Sequence, residues 1–464
     1  MEDITMRKIF QYIMLTVVTI VMASCTSDIE ETTATTGKSN VQLVVGEFPA
    51  FGDSQTRAIG TPDEGKTSWA VGDELLLEID NTHYGRHSAT FTYNGKSWEL
   101  TSGELVYLEG DPAYISHVYY APNYKWEAGK LVLKEGKVAG TDEYIEGNAR
   151  ITGNDETITV SFAEATRKYS RLRIATMPNK QITVDTEYFT PAGSSDMVGS
   201  QNYALTSDEK GNAYLYGTFE NNSEVTVKYR EATLATHTFL QKTENAKSYA
   251  LDATVISANS AEEIKSAIKQ EVANSKTAIR LNIASDAGAN EFNAIREAFE
   301  KVKSGTIDLT LIGCKEIPAN GLNNQAGGLE ALKSITLPDV TKIGKYALYF
   351  CVDLEEICAP NVSAIDEGAF AECHKLRKVT LGELTDVKGD YEHGGGIFGY
   401  DSHSIENIDL ELSEKQRIMT RKLIDGRYCW TPTEEPYRWS EDYEYSRFLG
   451  MTFNSVKCGD VIYP

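Results

Sequence analysis

Basic residues are scarce in this 464-residue sequence. Its 45 Lys and Arg stand against 68 Asp and Glu, a formal net charge of −23. A nucleic-acid role is disfavoured, because phosphate binding needs a basic footprint, and acidity of this size keeps a surface solvated. Between Cys25 and Cys314 there is no cysteine. The six later ones form no CxxC pair and no Cys/His cluster, so buried apolar thiols fit better than disulfides or metal ligands. Histidine is sparse as well. His83 and His87 have i,i+4 spacing, but Tyr84-Gly85 between predicted strands indicates a turn rather than a metal-holding helix. His117, His237, His374, His393 and His403 show no partner pattern. G-x-S-x-G, HExxH, P-loop and dinucleotide fingerprints are absent. Asp386, Asp390, Asp401 and Asp409 lack EF-hand spacing, and in so acidic a chain no glycosidase carboxylate pair stands out. The expectation is a protein that is not an enzyme, with no metal and no cofactor.

Apolar runs long enough for a membrane span are missing too. The longest, IFQYIMLTVVTIVMA, falls short of the ~20 residues a span needs. It follows basic Arg7 and Lys8 and ends at Met22-Ala23-Ser24-Cys25, so it reads as a targeting segment. This pattern resembles a bacterial lipoprotein signal, in which the cysteine is lipidated and cleavage falls just before it. The resemblance implies a signal peptide over 1–25, a covalent lipid on Cys25 and membrane contact through that anchor alone. Met6 makes a more typical start than Met1. Residues 26–40 contain SDIEETTATTGKSN, too polar to fold, and read as a tether. An acidic stretch here also resembles the surface-export signal of lipoproteins in Gram-negative anaerobic gut and oral bacteria, which implies an outer-membrane, cell-surface location.

What the chain does have is an internal repeat. LKSITLPDVTKIGKYALYFCVD is followed by LEEICAPNVSAIDEGAFAECHK and then LRKVTL, from Leu332 to Leu381. Leucine, proline, valine, isoleucine, alanine and cysteine recur together at one fixed period, as at Cys351 and Cys373. Such a period marks stacked units, none of which can bury its own apolar side alone. The pattern resembles the BspA-like leucine-rich repeat, LxxIxLPxVxxIxxxAFxxCxx, with Leu348 and Ala359 in place of the usual Phe and Leu. Within LxxIxLP the Ile and Leu point inward and the two residues after the first Leu face solvent. One period apart, that sets Glu355 between Lys333 and Arg377, and Glu356 between Ser334 and Lys378. These five charged residues are the candidate repeat-face contacts; a solvated charge ladder is the preferred account and a ligand-reading strip the sharper one. Beyond Leu381 one further coil fits if the segment around Glu392–Gly396 loops out. Val387 then aligns with Ile365, Ile397-Phe398 with Ala369-Phe370, and Ile405, Ile408 and Leu410 enter the next strand.

Upstream the pattern is β. Over 41–165, VQLVVGEF, DELLLEI, ATFTYNG, AYISHVYYA and TITVSF are short β-branched and aromatic runs. RLRIATM, QITVDTEYF, AYLYGTF, EVTVKY and HTFLQK continue over 166–256. Several segments resemble the fimbrillin family of fimbrial subunits: Thr56-Arg57-Ala58, Trp69 before Val71-Gly72-Asp73, FTYNGKSW, Tyr119-Tyr120-Ala121-Pro122 and the junction SFAEATRKYSRLRI. That resemblance implies two all-β, transthyretin-like or Greek-key sandwiches, and Arg57 as a point of proteolytic processing. Residues 257–464 then read as an α+β leucine-rich-repeat solenoid. SAEEIKSAIKQEVANS, with Ser260 as N-cap and Glu263 three residues on, and NEFNAIREAFEKVKS supply a helical N-terminal cap; the Trp- and Tyr-rich tail caps the other end. Three functions follow from the resemblances: a surface adhesin for protein or glycan ligands on host or neighbouring cells, a fimbria anchor or tip subunit joined to other subunits by donor-strand exchange, or a carbohydrate-capture accessory protein.

Overall fold

The computed structural model describes residues 41–51, 65–81, 85–103, 113–148, 150–153, 158–162, 167–324, 327–390, 396–398, 407–424, 427–438, 448–450 and 453–463. Cys25, the tether, Arg57, His83, Ile405 and most of the Gly-rich segment after Asp390 lie outside them. The chain is multidomain and mostly β; two α-helices occur among the described residues. None of these helices is long and apolar enough to cross a membrane.

The first unit has a five-stranded antiparallel sheet, in spatial order Trp98–Gly103, Gly85–Tyr93, Glu74–Asn81, Ala113–Tyr120 and Ile145–Asn148. A three-stranded sheet carries Val41–Val45 at its edge, parallel to Ile158–Phe162. Strand alternation makes the core: Ala89 and Phe91 point in while Thr90 and Thr92 point out. Trp69 packs edge-on against Phe48, Trp98 and Tyr120, and its indole N–H donates to the Gly46 carbonyl at 2.8 Å. The Val71-Gly72-Asp73 motif is a turn closed by the Asp73 N–H on Ala70, 3.0 Å away, with Gly72 at φ 92, where a side chain would be strained. That turn aims the Asp73 carboxylate at the Tyr120 hydroxyl, 3.1 Å away. His87 corrects one expectation. It lies inside the Gly85–Tyr93 strand opposite Ile79, because that strand already begins at Gly85, a residue expected in the turn.

The second unit is organised by one long strand, Gln181–Pro191. Val198–Thr206 pairs with it along nearly its whole length. On its other side it pairs with Ser223–Tyr229 up to Thr186, then with Asn212–Phe219 from Phe189 onward. The change of partner coincides with Tyr188, at φ 50. A strand that switches partners at a corner joins two layers. Val184, Phe189, Leu215, Phe219 and Val227 fill the space between them, all fully buried.

The third unit begins with helices α1 (Ala261–Ala273) and α2 (Ala289–Phe299). The Ser260 hydroxyl accepts the Glu263 N–H at 3.3 Å, while Glu263 reaches back to the Asn259 N–H at 2.8 Å. Ile264, Ile268, Phe292 and Ile295 are buried against the first rungs of a parallel ladder. Its rungs are Ile256–Ser257, Ala278–Asn282, Ile307–Ile312, Leu332–Thr336, Glu356–Ala359, Lys378–Leu381, Asp409–Leu412 and Ser455–Cys458. A second, shorter ladder links Ile317, Ile343, Ile365 and Val387. Ile335, Ile357, Val379 and Leu410 share one inward column, each fully buried. Cys351 and Cys373 occupy equivalent buried slots, and burial pushes the Cys351 thiol up to about 12.

The period lengthens where expected. Bonded neighbours on adjacent rungs are 22 residues apart at the Glu355/Arg377 ion pair, but 31 apart where the Thr380 hydroxyl donates to Glu411. Ile397-Phe398 still stacks under Ala369-Phe370, the Phe370 N–H donating to Ile397 at 2.8 Å and the rings 5.5 Å apart. The last interval is 46 residues. It contains a hairpin, Arg417–Ile424 and Arg427–Pro436, whose second strand runs antiparallel to Asp386–Asp390 and ends the shorter ladder. Antiparallel Val461–Tyr463 ends the longer one.

Candidate functional site

The outward residues of the long ladder form two columns. One runs Asp308, Ser334, Glu356, Lys378, Asp409 and Ser455; the other runs Thr310, Thr336, Cys358, Thr380, Glu411 and Lys457. The first column contains the predicted Glu356 and Lys378, 3.1 Å apart, and the Glu356 carboxylate holds the Lys378 ammonium above the usual lysine range. Further along it, Ser455 and Asn454 donate to Asp409 at 2.6 and 2.7 Å and hold its carboxyl below the usual range. Glu355 pairs with Arg377, as the spacing indicated. Lys333 does not join them: its carbonyl accepts the Glu355 N–H at 2.8 Å, but among the described residues its side chain has no ion pair.

Charge alternation is not confined to this face. On the shorter ladder Lys342 lies 2.6 Å from Glu316 and 3.9 Å from Asp366, which in turn lies 3.7 Å from Lys388. A pattern present on both sheets belongs to the stacking itself, where opposite charges on adjacent rungs pin register. Glu355→Lys with Glu356→Lys should therefore cost ~0.2–1 kcal/mol per reversed pair, more at low salt, with the fold retained. Melting curves across a salt series check this. Unchanged stability at every salt concentration, with binding to cells lost, would mark a ligand-reading strip instead.

The second column escaped the sequence reading, although the middle x of IxL pointed to it. It matters because Cys358, Thr380, Glu411 and Lys457 of this column, with Glu356 and Lys378 of the first, line a cleft of about 920 Å³. The turn Tyr229–Ala232 of the second β unit brings Arg230 and Glu231 into the same lining as Cys358, Thr380 and Glu411, and Glu414 joins them there. Partial burial pushes the Cys358 thiol up to about 11.

The turn is held by Asp339, a residue sequence spacing did not single out. It is almost wholly buried, accepts the Gly313 N–H at 2.9 Å and lies 2.9 Å from Arg230 Nη1 and 3.8 Å from Lys315. One coil on, Asn361 donates to the Pro338 carbonyl at 2.7 Å. Ile312 also packs into the core of the second β unit. Sandwich turn and rung face thus meet through charge-assisted bonds and apolar contact, which presents the cleft as a preformed surface. Among the described residues no group of three or more His, Cys, Asp or Glu is arranged to hold a metal ion.

Residues 315–413 match the family model of the BspA type leucine rich repeat region, given as six copies. The match includes every rung from Leu332–Thr336 to Asp409–Leu412. No protein of curated function matches the chain. Among solved structures, the crystal structure of GBS52, the minor pilin in the Gram-positive pathogen Streptococcus agalactiae, is similar over 46% of this chain and 94% of that chain. The sequence identity is 10% and the TM-score 0.16, too loose a superposition to argue from.

Proposed function

We propose that this chain is a lipid-anchored surface-binding protein of a bacterial outer membrane. Cys25 carries the lipid, two β-sandwiches over 41–165 and 166–256 form a stalk, and the leucine-rich repeats of 257–464, capped by α1 and α2, form the recognition head. The observation that carries this reading is the BspA type repeat match, on a stack whose outward face opens into a preformed cleft. Repeat stacks offer broad, regular faces to macromolecular partners, and nothing in the cleft resembles a catalytic constellation. Cys25→Ala tests the anchor. One acyl chain holds marginally and two or more hold stably, at ~0.8 kcal/mol per buried CH₂. The variant should lose palmitate labelling and stay as an uncleaved precursor; labelling that persists would exclude the anchor.

A second reading, a fimbria anchor or tip subunit, is favoured by one observation. Among the described residues Val41–Val45 is an edge strand, paired with Ile158–Phe162 on one side, and it lies before Arg57. A cut after Arg57 would free that strand together with the tether and open the sheet edge to a strand from another subunit. Shed fimbriae discriminate. A mature form beginning at Ala58 that co-purifies with them supports the subunit; an uncut form absent from them supports the free adhesin.

A further inference from the structure

The cleft beside the rung face contains more charge than its ladder uses. Three cations line it, and each has a partner: Arg230 with Asp339, Lys378 with Glu356, and Lys457 with Glu411, 3.9 Å away. Four carboxylates line it, and two are left over. Among the described residues neither Glu231 nor Glu414 has an ion pair; one is on the turn between Ser223–Tyr229 and Ala232–Phe239 and the other follows the seventh rung. No Phe, Tyr or Trp occurs among the described residues lining the cleft. Sugar rings are commonly held by stacking on aromatic faces, so this lining is poorly suited to a glycan. Its apolar part is Pro360, Leu381 and Leu412, suited to the aliphatic stems of long side chains.

We propose that this cleft receives a basic polypeptide segment of a partner protein, its Lys or Arg side chains entering against Glu231 and Glu414. The inference rests on the surface-binding reading above and adds to it the partner's chemistry and the part the second sandwich takes in binding. The ladder pairs are already satisfied and stay so, while the two unanswered carboxylates supply the attraction. A net charge of −23 steers a basic partner toward the molecule as a whole. The Asp339 anchorage keeps the turn and the rung face in place, so little ordering is lost when the segment docks.

The test uses the detergent-solubilised full chain and a fluorescent Lys/Arg peptide, with its Glu/Asp counterpart and a neutral oligosaccharide as competitors. Glu231→Gln with Glu414→Gln should weaken the basic peptide by about fivefold, the range expected for two exposed charge pairs, and should flatten its salt dependence. Glu262→Gln with Glu300→Gln, on and just beyond the helices, removes the same charge far from the cleft and should leave the affinity unchanged. Equal loss in both variants would mean general charge attraction and overturn the proposal. So would an unchanged affinity in the cleft variant, or competition by the oligosaccharide. Cell-binding assays with the same variants separate this inference from the broader reading. Wild type and cleft variant binding cells equally sinks the cleft alone; a wild-type chain that binds neither cells nor fimbriae sinks the broader reading, whatever the peptide does.

Discussion

Arg167→Ala should destabilise the paired sandwiches by about 3–5 kcal/mol, the cost of leaving a buried charge without its partner. Arg167 is 0% exposed at its side chain and Glu143 3%, and the two form an ion pair at the junction. The Tyr169 hydroxyl also donates to Glu143, at 3.2 Å, while Arg167 Nε donates to the Pro49 carbonyl at 3.0 Å. Its guanidinium carbon lies over Phe51, 3.7 Å from the ring centre. Around this pair Tyr124, Tyr144, Tyr169 and Tyr216 form an aromatic cluster with Leu76 and Ala192, drawn from both β units. Burial pushes the Tyr169 and Tyr216 phenols well above their usual range, so both remain neutral hydrogen-bonding groups at ordinary pH. Truncating Arg167 would strand the Glu143 carboxylate among those rings. Replacing both charges, Arg167→Met with Glu143→Leu, should recover most of the loss, because apolar groups of similar volume need no partner. Denaturant unfolding of the three chains measures both effects. A loss under about 1 kcal/mol for Arg167→Ala would mean that water or another cation reaches Glu143.

Phe370→Ala should cost the repeat stack about 3–5 kcal/mol, through lost burial and the cavity left behind. The ring is fully buried, and its neighbour across the rung is Phe398, which itself arrives after the lengthened interval. Each coil rests only on the coils beside it, so the vacancy removes support from both sides. Hydrogen exchange should report this as faster exchange at Lys378–Leu381 and at Leu348, with the two sandwiches unchanged. Exchange that rises equally throughout the chain would show that the repeat stack and the two β units unfold as one cooperative body. The equivalent slot one coil earlier holds Leu348, also fully buried.

The repeat was legible because its sequence period and its structural period are the same quantity. Inward Ile335, Ile357 and Val379 recur at the spacing that stacks one rung on the next, so reading one coil gave the next. The break was legible for the same reason: Ile397-Phe398 had to regain the Ala369-Phe370 slot, and the intervening residues had to leave the stack. Capping by Ser260 and Glu263 was equally local, set by neighbours three and four residues apart. His87 was placed between strands because the apolar alternation of the next strand begins only at Ala89, whereas cross-strand pairing extends back to Gly85. Lys333 does flank Glu355, its carbonyl accepting the Glu355 N–H, but it makes no ion pair there among the described residues, because spacing along a column does not choose a long side chain's rotamer.

Local pattern, then, determined the β runs, the helix caps, the 22-residue rungs and the alternating charges that pin them. Each of these depends on residues a fixed short distance apart, which a linear text preserves. The contact between Arg230 and the Pro338–Asp339 corner joins positions 108 residues apart and has no period to reveal it. Only the docking of one unit against another decided that Glu231 and Glu414 would line one cleft. The tertiary structure likewise decided that Arg167 and Glu143 would be buried together, because burial of a charge is a property of what surrounds it and not of its place in the chain.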